Sequence, residues 1–239
     1  MSSRSRTLLT AVLAVGFIAL LALAGCGGTE ETGNAGEDSP NGGAAAEQPA
    51  AESPENDNGG DELYTPEYQP TGKEVAIFKT SKGVIRVELY GKDAPIHVGN
   101  FVELARKGFY DGTKFHRFEP GFVVQGGDPQ TKDFTGEEVS EVVRGASAGP
   151  AFGTGGPGYS IKGEFDPTKN PRKHVEGALG MARSQSPDSA GSQFYFALAP
   201  LPQLDGGYTV FGAVVDGLDV VKQLGVGDEI ESVTISDAD

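Results

Sequence analysis

The stretch from residue 115 to 128 constrains the fold more than any other: Phe115-His116-Arg117-Phe118-Glu119-Pro120-Gly121-Phe122-Val123-Val124-Gln125-Gly126-Gly127-Asp128. A Pro-Gly pair precedes four strand-forming residues and a Gly-Gly pair follows them, so residues 122–125 read as a short strand between turns. Side chains alternate along a strand. Phe122 and Val124 are therefore expected on one face, and Val123 and Gln125 on the other. Arg117 and Gln125 become polar groups held on short apolar strands. Such groups either satisfy each other or face a ligand.

The neighbouring sequence repeats this style. Residues 74–80 and 84–90 flank a Ser-Lys-Gly turn and predict a hairpin. Residues 192–199 alternate, with Phe194 and Phe196 on one face and Gln193, Tyr195 and Ala197 on the other. Further short strands are expected near 159–161, 178–182, 208–214 and 230–236. Helices are expected at 96–107, with Asp93 as cap and Pro95 in the first turn, and at 217–224. Residues 130–152 form a long polar excursion with a short helix near 137–143. Many short strands, glycine turns and two well-separated helices predict a mainly β domain. A closed antiparallel barrel capped by two helices fits, since closure removes exposed edges; a sandwich remains open.

The N-terminal part has a different character. Arg4 and Arg6 precede an apolar run from residue 8 to 24, followed by Leu23-Ala24-Gly25-Cys26. A basic start, an apolar stretch and small residues at a cut site form a secretory signal. With Cys26 directly after Ala-Gly, residues 1–25 resemble a bacterial lipoprotein signal peptide. That resemblance implies cleavage before Cys26, lipidation of its thiol and acylation of its amino group, hence extracytoplasmic attachment to a membrane. An uncleaved span is the alternative, but the apolar run is at the short end for a bilayer. Cys26 is the only cysteine, so no disulfide forms within the chain.

Residues 26–70 are expected to be a disordered linker. From residue 27 they hold eleven Asp and Glu and no Lys or Arg, and the few large apolar residues (Leu63, Tyr64, Tyr68) sit at the end. The linker supplies most of the formal charge of −15. Residues 71–239 carry 23 acids against 17 bases, which argues against nucleic acid as a partner. They suffice for one domain.

Several familiar chemistries lack support. Gly153-Thr154-Gly155-Gly156-Pro157-Gly158 matches GxGxxG, but Pro157 interrupts it and no strand–helix unit is predicted around it. His97, His116 and His174 lack metal-ligand spacing; His97 and His174 read as surface residues. No serine lies in a nucleophile elbow. No metal or cofactor is expected.

The remaining polar residues among aromatics carry a specific resemblance. The opening stretch, Gly191-Ser192-Gln193-Phe194-Tyr195, Leu204-Asp205-Gly206…Val210-Phe211-Gly212 and Ala94-Pro95…Asn100-Phe101…Gly108-Phe109-Tyr110-Asp111-Gly112 resemble the cyclophilin family of peptidyl-prolyl cis–trans isomerases, in order from Val75 to the C-terminus. The resemblance implies an eight-stranded antiparallel barrel capped by two helices. It implies Arg117, Phe122 and Gln125 as catalytic residues. His116, Val123, Ala182, Arg183, Gln193, Tyr195, Leu204 and Tyr208 would bind substrate. Proline-containing segments of exported polypeptides would be the partners, and a monomer is expected. A non-catalytic proline-peptide binder and a solute-binding lipoprotein are the competing classes.

This chain departs from the family pattern at several positions. Val123 replaces a common Met, Tyr195 a usual Phe, Tyr208 a frequent His and Arg183 a frequent Asn. Gln203 stands where cyclosporin-sensitive members have Trp. The Tyr195 hydroxyl needs a partner, and the excursion exceeds the usual loop.

Overall fold

The computed structural model describes residues 63–237. Cys26, the signal and nearly all of the linker lie outside them. Among the described residues no helix is long and apolar enough to cross a membrane.

Among the described residues nine strands form one sheet: β1 (Glu74–Thr80), β2 (Gly83–Leu89), β3 (Thr113–Lys114), β4 (Arg117–Glu119), β5 (Val123–Gly126), β6 (Ala178–Met181), β7 (Phe194–Ala197), β8 (Val210–Asp216) and β9 (Glu229–Asp237). All pairings are antiparallel, in the order β3-β9-β1-β2-β8-β6-β7-β5-β4. The mainly β expectation holds, whereas the count differs from eight. The difference lies at β3 and β4, which are the two edges of the sheet and yet only two residues apart in the chain.

Such a sheet must curl, because a two-residue link holds its edge strands near each other. Phe115 and His116 form the seam. The Phe115 amide donates to the Asp228 carbonyl beside β9, and the next amide, of His116, donates to the Gln125 carbonyl of β5. No pairing between β3 and β4 joins the edges; the backbone does.

Curling gives the sheet an inside and an outside. Val124, Phe194 and Phe196 point into the main core with Phe78, Phe101 and Phe211, all fully buried. Val123, Tyr195 and Ala197, the alternate residues of β5 and β7, form a second apolar cluster with Leu201 and Val210. The expected alternation of β7 is thus observed. Phe122 departs from it: it precedes β5 in the 119–122 turn, so it is free of the strand period and joins Val123 instead of Val124.

Helix α1 (Pro95–Arg106) sends Phe101 against Phe78, Phe194 and Phe211 at centroid distances of 5.9, 6.0 and 5.4 Å. Asp93 does not cap it. The N-cap is Ala94, and Asp93 pairs with Arg172 at 2.6 Å. Glu164, far along the chain, accepts from the Ile96 and His97 amides at 3.0 and 2.9 Å and does the capping work. Glu164 also binds Nδ1 of His97 at 2.7 Å. His97 is therefore fully buried, contrary to the surface position expected.

Helices α2 (Gly136–Val143) and α3 (Leu218–Val221) complete the fold. Tyr64 and Tyr68, at the end of the acidic stretch, pack on α1. The Tyr64 hydroxyl and the Tyr68 amide both donate to Glu103, and Arg106 lies 4.4 Å over the Tyr68 ring.

Candidate active site

The outer cluster is open on one side. Val123, Tyr195, Phe122 and Leu204 wall a cleft of about 210 Å³, with Ala182 and Tyr208 beside them. Alternation along β5 and β7 aims Val123 and Tyr195 there. Leu204 comes from a single 3-10 turn, Pro202–Leu204. Arg117 and Gln125 stand at the rim.

These two are register partners across β4 and β5. Nη1 of Arg117 donates to Oε1 of Gln125 at 3.2 Å. Nε and Nη2 donate to one oxygen of Glu119, at 2.9 Å for Nε. The guanidinium is 5.8 Å from the Phe122 ring centroid. Gln125 in turn donates to Oε1 of Gln193 at 2.9 Å, and Gln193 donates to the Gly155 carbonyl at 2.7 Å. A chain of amide groups thus fixes the cation while its side chain stays about half exposed.

The Tyr195 hydroxyl finds its partner below the cleft. It lies 2.9 Å from Nε2 of His174, whose Nδ1 is 2.9 Å from Asp205. The Asp205 carboxylate accepts from Nδ1, so the neutral ring has its acceptor at Nε2 and the tyrosine donates. Burial pushes His174 below its ordinary value, against the pull of Asp205. Burial acts to raise Asp205, but hydrogen bonds from the His174 backbone and ring hold it low. The phenol itself is pushed up by burial. His174 is 2 % exposed, so the surface position expected for it is incorrect. Gly180 faces Tyr195 across β6 and β7, and a Cβ there would overlap the phenol ring and its oxygen.

Arg183 lines the cleft as well, but its guanidinium is tied to the chain beside it. Its Nε and Nη2 donate to the Gly207 carbonyl at 3.0 and 2.8 Å, and its guanidinium lies 4.5 Å over Tyr208. It stiffens the wall rather than presenting a free cation. His116 and Gln193 line adjoining clefts instead of this one. The glycines of 153–158 line one of those clefts and open no helix. Among the described residues no cluster of His, Cys, Asp and Glu has the makings of a metal site.

The site thus sets a cleft walled by apolar side chains beside a fixed cation. Residues 75–238 match the family described as "Cyclophilin type peptidyl-prolyl cis-trans isomerase/CLD". The chain is 44% identical over 163 residues to a peptidyl-prolyl cis-trans isomerase of Helicobacter pylori, covering 67% of this chain and 86% of that one. It is 43% identical over 151 residues to peptidyl-prolyl cis-trans isomerase B of Bacillus subtilis, covering 63% and 90%. A crystal structure of a Cryptosporidium parvum cyclophilin type isomerase in the presence of the dipeptide Ala-Pro is similar, with TM-score 0.56 and 28% identity over 68% of this chain and 99% of that one. The chain belongs to the cyclophilin family and is a peptidyl-prolyl cis–trans isomerase.

Proposed function

We propose that this isomerase works outside the cytoplasm on exported polypeptides, held to a membrane by lipid on Cys26, and that Arg117 is its central catalytic group. One observation carries the catalytic reading: Arg117 is fixed by Gln125 and Glu119 at the rim of a cleft of about 210 Å³ walled by Phe122, Val123, Tyr195 and Leu204.

The chemistry needs no bond to a substrate atom. Rotation about a peptide bond costs about 18–20 kcal/mol because it breaks amide resonance. A proline ring seated against Phe122, Val123, Tyr195 and Leu204 brings its nitrogen to the rim. In the twisted state the nitrogen lone pair is no longer delocalised and accepts a hydrogen bond. The guanidinium supplies directed N–H groups at every working pH. It binds the twisted state better than either planar isomer, which is the condition for acceleration. Gln125 keeps the fork aimed. A donor already in place need not reorganise during rotation.

The anchor reading rests on the sequence around Cys26 and on the acidic spacer that follows. Slow X–Pro isomerisation limits folding, and newly exported chains would be its clients.

The catalytic test is isomerisation of a proline peptide. Arg117→Ala is expected to lower kcat/KM about 10²–10³-fold with the fold unchanged; an Arg117→Ala protein as active as the parent refutes the assignment. For the anchor, Cys26→Ser should release the protein from the membrane fraction or block maturation. An acylated product from that variant would sink the lipidation reading.

A further inference from the structure

We propose that the excursion between β5 and β6 builds a second subsite, which takes an apolar side chain flanking the proline of the substrate polypeptide. This inference rests on the isomerase reading of Arg117.

A cleft of about 440 Å³ lies against Arg117 and Gln125, the same two residues that rim the proline cleft. Its other wall is apolar and comes from the excursion: Val142, Val143, Pro150, Ala151 and Phe152. The two clefts therefore adjoin at Arg117 and Gln125. Successive Cα atoms are only 3.80 Å apart, so a chain with its proline in the first cleft brings a flanking residue within reach of this junction.

The wall is built, not a passing conformation of a loop. Thr135 and Glu138 form a reciprocal capping box at the start of α2. Val139 is fully buried, and the Ser140 hydroxyl donates to the Val226 carbonyl at 2.9 Å. Phe134 meets Phe152 edge-on at 5.2 Å across the base. Asp128, fully buried, accepts from the Gln130 amide at one end of the excursion and from the Gly153 and Gly155 amides at the other. Yet Val143 is left 43 % exposed on this anchored wall.

The floor adds no free charge to this apolar wall. His116 is 5 % exposed, and neither ring nitrogen has a hydrogen-bond partner. Burial holds its pKa below the ordinary value, against the pull of Asp128, so the ring carries no charge at neutral pH. The Arg117 charge is already offset by Glu119.

Val143→Asp and Ala151→Asp test the proposal, since both positions are exposed and lie outside the proline cleft. The substrates are proline peptides scanned with Gly, Leu, Phe and Asp at each flanking position. The parent should favour Leu or Phe over Gly at one position by about tenfold in kcat/KM. Both variants should lose that preference while turning over the Gly peptide at the parent rate. A parent without flank preference, or variants that retain it, overturns the subsite. Titrated Kd values for the same peptides report the preference independently of turnover, so failure of the catalytic reading is distinguishable. Concentration-dependent self-association abolished by Val143→Asp, without flank preference, would assign the wall to a second copy of the chain and reject the proposal.

Discussion

The hydroxyl of Tyr195 donates to Nε2 of His174 across 2.9 Å, and Asp205 holds the opposite ring nitrogen. The tyrosine thereby brings a polar tip into an apolar wall without leaving it unpaired. Gly180 provides the room for the ring. Tyr195→Phe removes the donor and leaves Nε2 unsatisfied, at a cost of about 1–3 kcal/mol in denaturant unfolding. Because the ring remains, kcat/KM should stay within about twofold of the parent. A larger kinetic loss would show that the hydroxyl itself contacts substrate.

Acid should loosen the same region. The folded pKa of His174 is below the unfolded value of 6.5, so the unfolded chain binds a proton first as pH falls. The stabilising contribution is full above 6.5 and is lost as pH drops through the folded value. His116 is shifted in the same direction and adds to the slope. Melting temperature measured from about pH 7.5 down to about pH 5 should decline, and His174→Gln should flatten the decline.

Glu119 offers a way to disturb aim without disturbing charge on the cation. The pair is half-exposed on both sides, so it contributes at most about 1 kcal/mol to stability. Glu119→Gln should leave the melting temperature unchanged and lower kcat about three- to tenfold through a less fixed guanidinium. Unchanged kcat would mean that Gln125 alone sets the orientation.

A fourth test concerns the segment that leads from Tyr68 into β1. The fully buried Glu74 carboxylate accepts from the Thr71 amide and hydroxyl, the Gly72 amide and the Tyr68 hydroxyl. Burial would raise its pKa, but these donors prevail and lower it to about 2. Its contribution is present above 4.5, the unfolded value, and is lost as pH falls towards about 2. Glu74→Gln should cost about 1.5–3 kcal/mol at neutral pH, with a smaller difference from the parent in acid.

Local pattern revealed what depends on local period. The alternation of β7 correctly separated Phe194 and Phe196 from Tyr195, and Arg117 and Gln125 were recognisable as a pair on adjoining strands. What depends on distant partners was hidden. His174 meets Asp205 31 residues away, and His97 meets Glu164 67 residues away. Nothing beside either histidine announces that partner, so both looked like surface residues. Phe122 was misplaced because a strand period was extended into a turn. The edges of the sheet escaped the pattern too, since β3 is two residues long and the seam is marked by no turn signal.

Asp128 gathers both ends of the excursion onto one carboxylate, directly after the strand that carries Gln125. Mechanically this isolates the insert. Whatever is threaded between the two tie points can lengthen, shorten or change its side chains while the catalytic strand feels the same three hydrogen bonds. Client preference and chemical competence can then be inherited separately: an ancestor could exchange one selectivity for another without relearning how to rotate the bond.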